Sequence, residues 1–131
     1  MDIYDALKQL EELNEELLVE MARIGYAGDL EVYVMTDDPG YVPHMHLRDK
    51  MTRGQQFHSR VCLTKAEYAP EEGKKDLLNT HQKKDLVHFL KQPHRKKGEM
   101  TNWQYLLTAW NDNNSKVTVD EDQPMPDYMK L

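Results

Sequence analysis

Several features are scarce in this sequence of 131 residues, and each scarcity excludes a class of protein. The single cysteine, Cys62, excludes an internal disulfide framework and a multi-cysteine zinc site. No apolar run approaches the roughly 18 residues that a membrane-spanning helix needs, so we expect no membrane association. The start, M-D-I-Y-D, has neither a basic segment nor an apolar stretch, which predicts a cytoplasmic protein without a secretory signal.

Acidic charge predominates, but it is unevenly distributed along the chain. The formal net charge is −6. Residues 2–24 carry seven acidic and two basic side chains, and residues 112–131 carry five acidic and two basic ones. Residues 74–97 show the reverse, with eight basic and two acidic side chains. Nucleic acid is therefore a candidate partner of the basic middle, although the net charge opposes such binding at long range and favours a protein partner.

The N-terminal segment has the pattern of an amphipathic helix over residues 2–25. Apolar residues recur every three or four positions without a proline, and Gly25 stands where helices end. The spacing also forms a heptad seam with Asn14 at an a position, which is typical of a homodimeric coiled coil. We favour packing against a core, because further leucines widen the apolar stripe. The candidate oligomerisation residues are Leu7, Leu10, Asn14, Leu17 and Met21.

Three segments predict β-strands, because apolar and polar residues alternate and β-branched residues are frequent. They are residues 30–36, 43–48 and 57–64. Short connections, among them the turn sequence at residues 37–40, indicate an antiparallel meander. Val117 and Val119 are candidates for a short edge strand.

Two helices are predicted in the C-terminal half. The first begins at Asn79 or Thr80 and continues to about Leu90. The second opens with a capping box formed by Thr101 and Gln104.

The expected fold class is therefore α+β. A three- to four-stranded, mostly antiparallel sheet is packed by the N-terminal helix and the two C-terminal helices. These elements form one domain over residues 1–119, and residues 120–131 form a flexible acidic tail.

The second predicted strand contains the sequence P-H-M-H-L at residues 43–47. Alternation places both histidines on one face, together with polar residues of the neighbouring strands, and that face is too polar for an ordinary core. We predict that it is the binding surface. Its candidate residues are His44, His46, Arg48, His58 and Arg60.

The same histidines have two further interpretations. In the first, His44 and His46 chelate zinc, with His58 or Glu31 as a third ligand. In the second, the histidines form a hydrogen-bonded cluster without any cofactor. We favour the cluster. The face could also supply the acid, the base and the phosphate clamp of a small hydrolase or nuclease. Nothing in the sequence brings those groups together, so no catalytic residue is assigned.

The sequence P-H-R-K-K-G at residues 93–98 is strongly basic. It is typical of a loop that contacts phosphates, but a solvated linker has the same composition. We favour the linker, because the net charge of the chain is acidic.

Three segments resemble an uncharacterised family of small bacterial domains built round a strand motif of the form D-x-x-P-P-H-x-H-V. The matching segments are residues 32–38, residues 43–47 and the helix sequence at residues 103–111, within an overall span of residues 30–114. The chain departs from the family pattern in its Val42-Pro43 pair, its longer turn and its acidic ends. The resemblance implies an accessory protein of bacterial or mobile-element genomes, of the kind found in toxin–antitoxin-like pairs.

We therefore expect a small non-enzymatic binding or regulatory protein of bacterial or phage origin, antitoxin-like or accessory, without a cofactor. A protein is the favoured partner, with nucleic acid through residues 74–97 as the alternative. Two other functions stay open. One is a small hydrolase or nuclease that uses His44, His46 and His58, with or without zinc. The other is an oligomeric structural component assembled through helix 2–25.

Overall fold

A four-stranded antiparallel sheet forms the centre of the structure, a computed structural model that describes residues 3, 21–36, 42–49, 57–70 and 76–131. The strands are neighbours in chain order: β1 (Met21–Ala27), β2 (Leu30–Met35), β3 (His44–Asp49) and β4 (His58–Cys62). Two helices follow, α1 (Thr80–Lys91) and α2 (Asn102–Asn113), and a 3₁₀ turn covers Tyr128–Lys130. The α+β class, the antiparallel sheet and both C-terminal helices are confirmed; the turn predicted at residues 37–40 lies outside the described residues.

Strand β1 replaces the end of the predicted N-terminal helix, so that prediction is wrong for residues 21–25. Gly25 does not end a helix; it follows a bulge at Ile24, within a strand that pairs with β2. The two strands are joined by Gly28 and Asp29, and the positive φ of Gly28, 60°, is a conformation that favours glycine. A Gly-Asp pair between two apolar segments is a hairpin signal, and here it outweighs the helical spacing.

The predicted dimer seam is also affected by β1. Met21 is half-buried in this strand, and its sulfur lies 4.0 Å from a guanidinium nitrogen of Arg48, so it is not part of a helical seam. The other candidate oligomerisation residues lie outside the described residues; they are Leu7, Leu10, Asn14 and Leu17.

Both helices pack on one face of the sheet and bury its apolar side chains. The helices contribute leucines and Trp110, which contact the valines of β2 and the apolar residues of β3 in one core cluster. The helix α2 begins with the predicted capping box of Thr101 and Gln104. The helix α1 is capped by Asn79, one of its two predicted caps, and there too a capping box forms, with Gln82. The sheet face opposite this core carries the polar residues described below.

The C-terminal segment, which the sequence predicts to be a flexible tail, packs on this core in the structure. Tyr128 is fully buried, and its hydroxyl donates a hydrogen bond to the carbonyl of Cys62 at 2.7 Å. The indole of Trp103 donates to the carbonyl of Gln123, and the amide of Gln123 donates to the carbonyl of Leu63. The side chains of Tyr128 and Gln123 thus hold the acidic C-terminal segment against the core.

Val117 and Val119 do not form the predicted edge strand. The carbonyl of Val117 accepts a hydrogen bond from the indole of Trp110 at 2.8 Å. The backbone N–H of Val119 donates to the side chain of Asn111 at 2.8 Å. Side chains of α2 therefore use backbone groups that a neighbouring strand would need.

Candidate functional site

The sheet register brings the predicted polar residues together on one face. Glu31 pairs with Arg48, and Tyr33 pairs with His46. His46 in turn is opposite Arg60, and Arg48 is opposite His58. The alternation in the sequence thus correctly predicts which side chains share this face.

Burial divides this polar face into two parts. His44 is 1% exposed and His46 is 5% exposed, so both rings are inside the protein. Arg48, His58 and Arg60 are half-buried and reach solvent. Of the five predicted binding residues, these three are therefore the ones that a partner can reach, and the binding role of the face stays a prediction.

The histidines make hydrogen bonds and ring contacts with one another. His46 Nδ1 lies 3.1 Å from His58 Nε2, which is hydrogen-bond distance, and the ring of His46 stacks on Tyr33 with centroids 5.0 Å apart. His44 Nδ1 lies 2.7 Å from the carbonyl of Val42. No group of three His, Cys, Asp or Glu side chains with the geometry of a metal site occurs in the described ranges. The zinc hypothesis therefore gains no support from these contacts.

Glu31 is completely buried, and three side chains of the described ranges donate hydrogen bonds to it. Arg23 Nε donates to Oε2 at 2.6 Å, the hydroxyl of Tyr26 donates to the same oxygen at 3.3 Å, and Arg48 Nε donates to Oε1. Two guanidinium groups thus compensate the charge of this buried carboxylate. The sequence places Glu31 on this face, but its partner Arg23 is missed there because that residue falls in the predicted helix.

A cleft of about 460 Å³ opens where the loop between α1 and α2 lies against β1. We call it the basic cleft, and define it by the five side chains that carry the argument. They are Arg23, Tyr26, Arg95, Lys96 and Tyr105. Its size suits a small ligand or a single nucleotide of a longer chain.

His94 holds the basic loop in place. Its ring is 6% exposed and stacks on Tyr105 with centroids 3.7 Å apart and an interplanar angle of 12°. Its Nδ1 accepts hydrogen bonds from the backbone N–H groups of Lys96 and Lys97, both at 3.2 Å. Burial lowers the pKa of His94, and the nearby cations lower it further, against a smaller rise from a hydrogen bond to the backbone of Ile24. The ring is therefore neutral near pH 7, as an accepting nitrogen requires.

Charge makes the cleft attractive to anions. Arg23, Arg95 and Lys96 line it, and none of the described residues that line it is acidic. The favoured interpretation of residues 93–98, a solvated linker, is therefore incomplete, because His94 orders the loop and two of its cations border a cleft. The P-H-R-K-K-G motif is a signal in the sequence for the loop side of this site. No pattern in the neighbouring sequence indicates that the loop lies against β1.

Comparison with protein-family models, with curated proteins and with solved structures found no match to this chain. The resemblance of residues 30–114 to the bacterial family therefore stays a prediction. Among the helices in the described part of the chain, none combines the length and the hydropathy required to cross a bilayer.

Proposed function

We propose that this protein is a small non-enzymatic binding protein that recognises the phosphates of a nucleic acid in the basic cleft. One observation carries the proposal: cations from two distant parts of the chain, Arg23 in β1 and Arg95 with Lys96 in the loop, border one cleft. Phosphate contacts of this kind supply most of the affinity of non-specific nucleic-acid binding. The tyrosines of the cleft add aromatic surface that suits a nucleotide.

The anchoring of the Arg23 side chain and of the loop backbone supports this proposal. Arg23 is held by the buried carboxylate of Glu31, yet 41% of its side chain is exposed. The loop that carries Arg95 and Lys96 is ordered by the stacked ring of His94. Cations that are positioned before binding lose less conformational entropy when a ligand arrives.

The wider role belongs to the same proposal. An accessory or regulatory protein of bacteria or phages, antitoxin-like in type, agrees with the resemblance of the P-H-x-H strand to the bacterial family. A cytoplasmic setting agrees with the single cysteine of the sequence, Cys62, which is buried and forms no disulfide. We also retain a helix in the N-terminal segment that precedes β1, because its apolar spacing indicates one, with a homodimer as its alternative use.

The proposal is tested by fluorescence anisotropy with a labelled RNA oligonucleotide at low and at moderate salt. We expect the Arg95→Ala/Lys96→Ala variant to bind at least about tenfold more weakly and to show a smaller salt dependence, since it loses two phosphate contacts. The matched control is Lys84→Ala/Lys116→Ala, which removes the same charge from exposed positions that do not line the cleft. We expect the control to change affinity by less than about threefold.

Two results would overturn the proposal. One is an equal loss of affinity in both double variants, which would assign binding to overall charge. The other is a wild-type protein that binds no oligonucleotide at low salt.

A small hydrolase or nuclease is the second candidate function, favoured by the contact between His46 and His58. Two imidazole nitrogens 3.1 Å apart can exchange a proton, and Arg48 and Arg60 lie beside them on the sheet. Against it, His46 is 5% exposed, so a substrate reaches only His58. Cleavage of labelled RNA by the wild type, abolished by His58→Ala, would move the assignment to this function.

A further inference from the structure

Tyr26 is the most accessible aromatic side chain among the described residues of the basic cleft. It is 46% exposed, although it belongs to the sheet. The ring of Tyr105 already has a stacking partner in His94, and Phe89 lies against the backbone of Gly25. Tyr26 is therefore the ring of this cleft with the most exposed surface for a further planar group.

The ring of Tyr26 is positioned before any ligand binds. Its hydroxyl donates to Glu31 Oε2 at 3.3 Å, and that carboxylate is itself held by Arg23 and Arg48. The guanidinium carbon of Arg23 lies 5.7 Å from the ring centroid. One buried carboxylate thus orients both an aromatic ring and a cation at the wall of the cleft.

An aromatic ring beside several cations is the arrangement that proteins use for single-stranded nucleic acid, because bases stack on the ring and phosphates contact the cations. In a duplex each base is covered by its neighbours on both faces, so Tyr26 would have no base to stack on. A cleft of about 460 Å³ has room for one unstacked nucleotide.

From these observations we infer that the basic cleft selects single-stranded nucleic acid: one base stacks on Tyr26, and the adjoining phosphate is bound by Arg95 and Lys96. This inference rests on the proposed function and adds selectivity for the unpaired form. An acidic peptide would satisfy the cations but would leave the aromatic ring without a planar partner.

The test compares two labelled probes by fluorescence anisotropy: an RNA single strand of about 12 nucleotides, within the usual site size of single-strand binders, and its duplex. We expect the wild type to bind the single strand at least about tenfold more tightly than the duplex. Tyr26→Leu should lose about tenfold in affinity for the single strand and leave duplex binding unchanged. Tyr26→Phe is the matched control, because it also loses the contact with Glu31 but keeps the ring; it should retain single-strand binding.

The outcomes separate this inference from the proposed function. The inference would be overturned if the wild type bound both probes equally well, or if Tyr26→Leu bound the single strand as tightly as the wild type. In either case the proposed function would stand as long as Arg95→Ala/Lys96→Ala still lost binding. Binding of neither probe by the wild type would overturn both. Displacement of the single strand by polyglutamate at a comparable concentration would assign the cleft to an acidic protein and would also overturn the inference.

Discussion

At the scale of single residues, Glu31 connects the polar face of the sheet with the basic cleft, because it binds Arg48 on one side and Arg23 and Tyr26 on the other. Its carboxylate is inaccessible to water, and it joins two strands by binding Arg23 of β1 and Arg48 of β3. A buried charge is tolerated only when its partners replace the lost hydration. The two arginines do so from partly exposed positions, with 41% and 33% of their side chains in solvent.

We expect Glu31→Gln to lower the free energy of unfolding by about 1–3 kcal/mol, because it leaves two arginines without their carboxylate. The lower part of the range applies if the partly exposed guanidinium groups regain water. Urea denaturation measures the change. Glu67→Gln is the control, since Glu67 forms an exposed pair with Lys65 at 3.1 Å, and it should cost less than about 0.5 kcal/mol. Similar losses in the two variants would contradict a special role for Glu31.

The lowered pKa of His94 predicts that the stability of the protein depends on pH. Its pKa is lowered in the folded protein from the ordinary value near 6.5, because the ring is buried beside Lys96, Arg95 and Lys97. Below about pH 6.5 the unfolded chain therefore binds a proton that the folded protein excludes. The stability linked to His94 is complete above that pH and is lost as the pH falls towards the lowered pKa of the folded state.

Urea midpoints at about pH 7.5 and about pH 5.5 lie on either side of the ordinary pKa of histidine, which applies to the unfolded chain. We expect the decrease between them to be smaller in His94→Phe, which keeps a ring on Tyr105 but cannot be protonated. His81→Gln should retain the wild-type decrease, because that side chain is 84% exposed. A decrease of the same size in His94→Phe and wild type would show that other groups cause it.

At the scale of elements, local patterns predict the structure wherever they agree with the tertiary contacts. Alternation indicates β2, β3 and β4, and the capping boxes at Thr101 and at Asn79 define where the helices begin. Strand β1 is not predicted from the sequence, because Met21 and Ile24 also fit a helical repeat. The choice is made by pairing with β2 and by packing against α1, neither of which a local pattern contains.

The close approach of β1 to α1 gives a prediction for Gly25. A Cβ at this position would lie 2.8 Å from two ring carbons of Phe89, so we expect Gly25→Ala to lower the free energy of unfolding by about 1–3 kcal/mol. Thermal or urea unfolding measures this change. Gly98→Ala is the matched control, since no atom lies within 4 Å of its added Cβ.

A second variant separates this steric effect from other causes. In a Phe89→Leu background the smaller side chain makes room for the Cβ, so Gly25→Ala should cost less there than in the wild type. Additive losses in the double variant would contradict a clash with Phe89.

At the scale of the whole molecule, the candidate site depends on chain segments that are far apart in sequence. Alternation within the strands predicts the polar face, but not that His44 and His46 are buried within it. The basic cleft joins residues 23–26 to residues 93–105, and Arg23 of β1 falls in the segment that the sequence predicts to be a helix. The basic motif of the loop is visible in the sequence, whereas the aromatic and cationic partners of that loop come from the fold.

The C-terminal segment has the same dependence on the fold, because its acidic composition conceals a core residue. Tyr128 is buried beside Trp103, with ring centroids 6.1 Å apart, and burial raises the pKa of its hydroxyl. We expect Tyr128→Ala to lower the free energy of unfolding by about 3–5 kcal/mol, as for other large aromatic residues in cores. Tyr128→Phe should cost about 1 kcal/mol, since it removes only the hydrogen bond to Cys62.

Urea denaturation of these variants distinguishes a packed segment from a flexible tail. Met129→Ala is the matched control, because Met129 is next in the chain but 38% exposed, and it should cost well under 1 kcal/mol.

The ammonium group of Lys83 donates to the carbonyl of Leu131 and so links the C-terminal segment to α1. Deletion of residues 120–131 should therefore expose the core and lower the unfolding midpoint, and a truncated protein as stable as the full chain would show that Tyr128 contributes nothing to the fold.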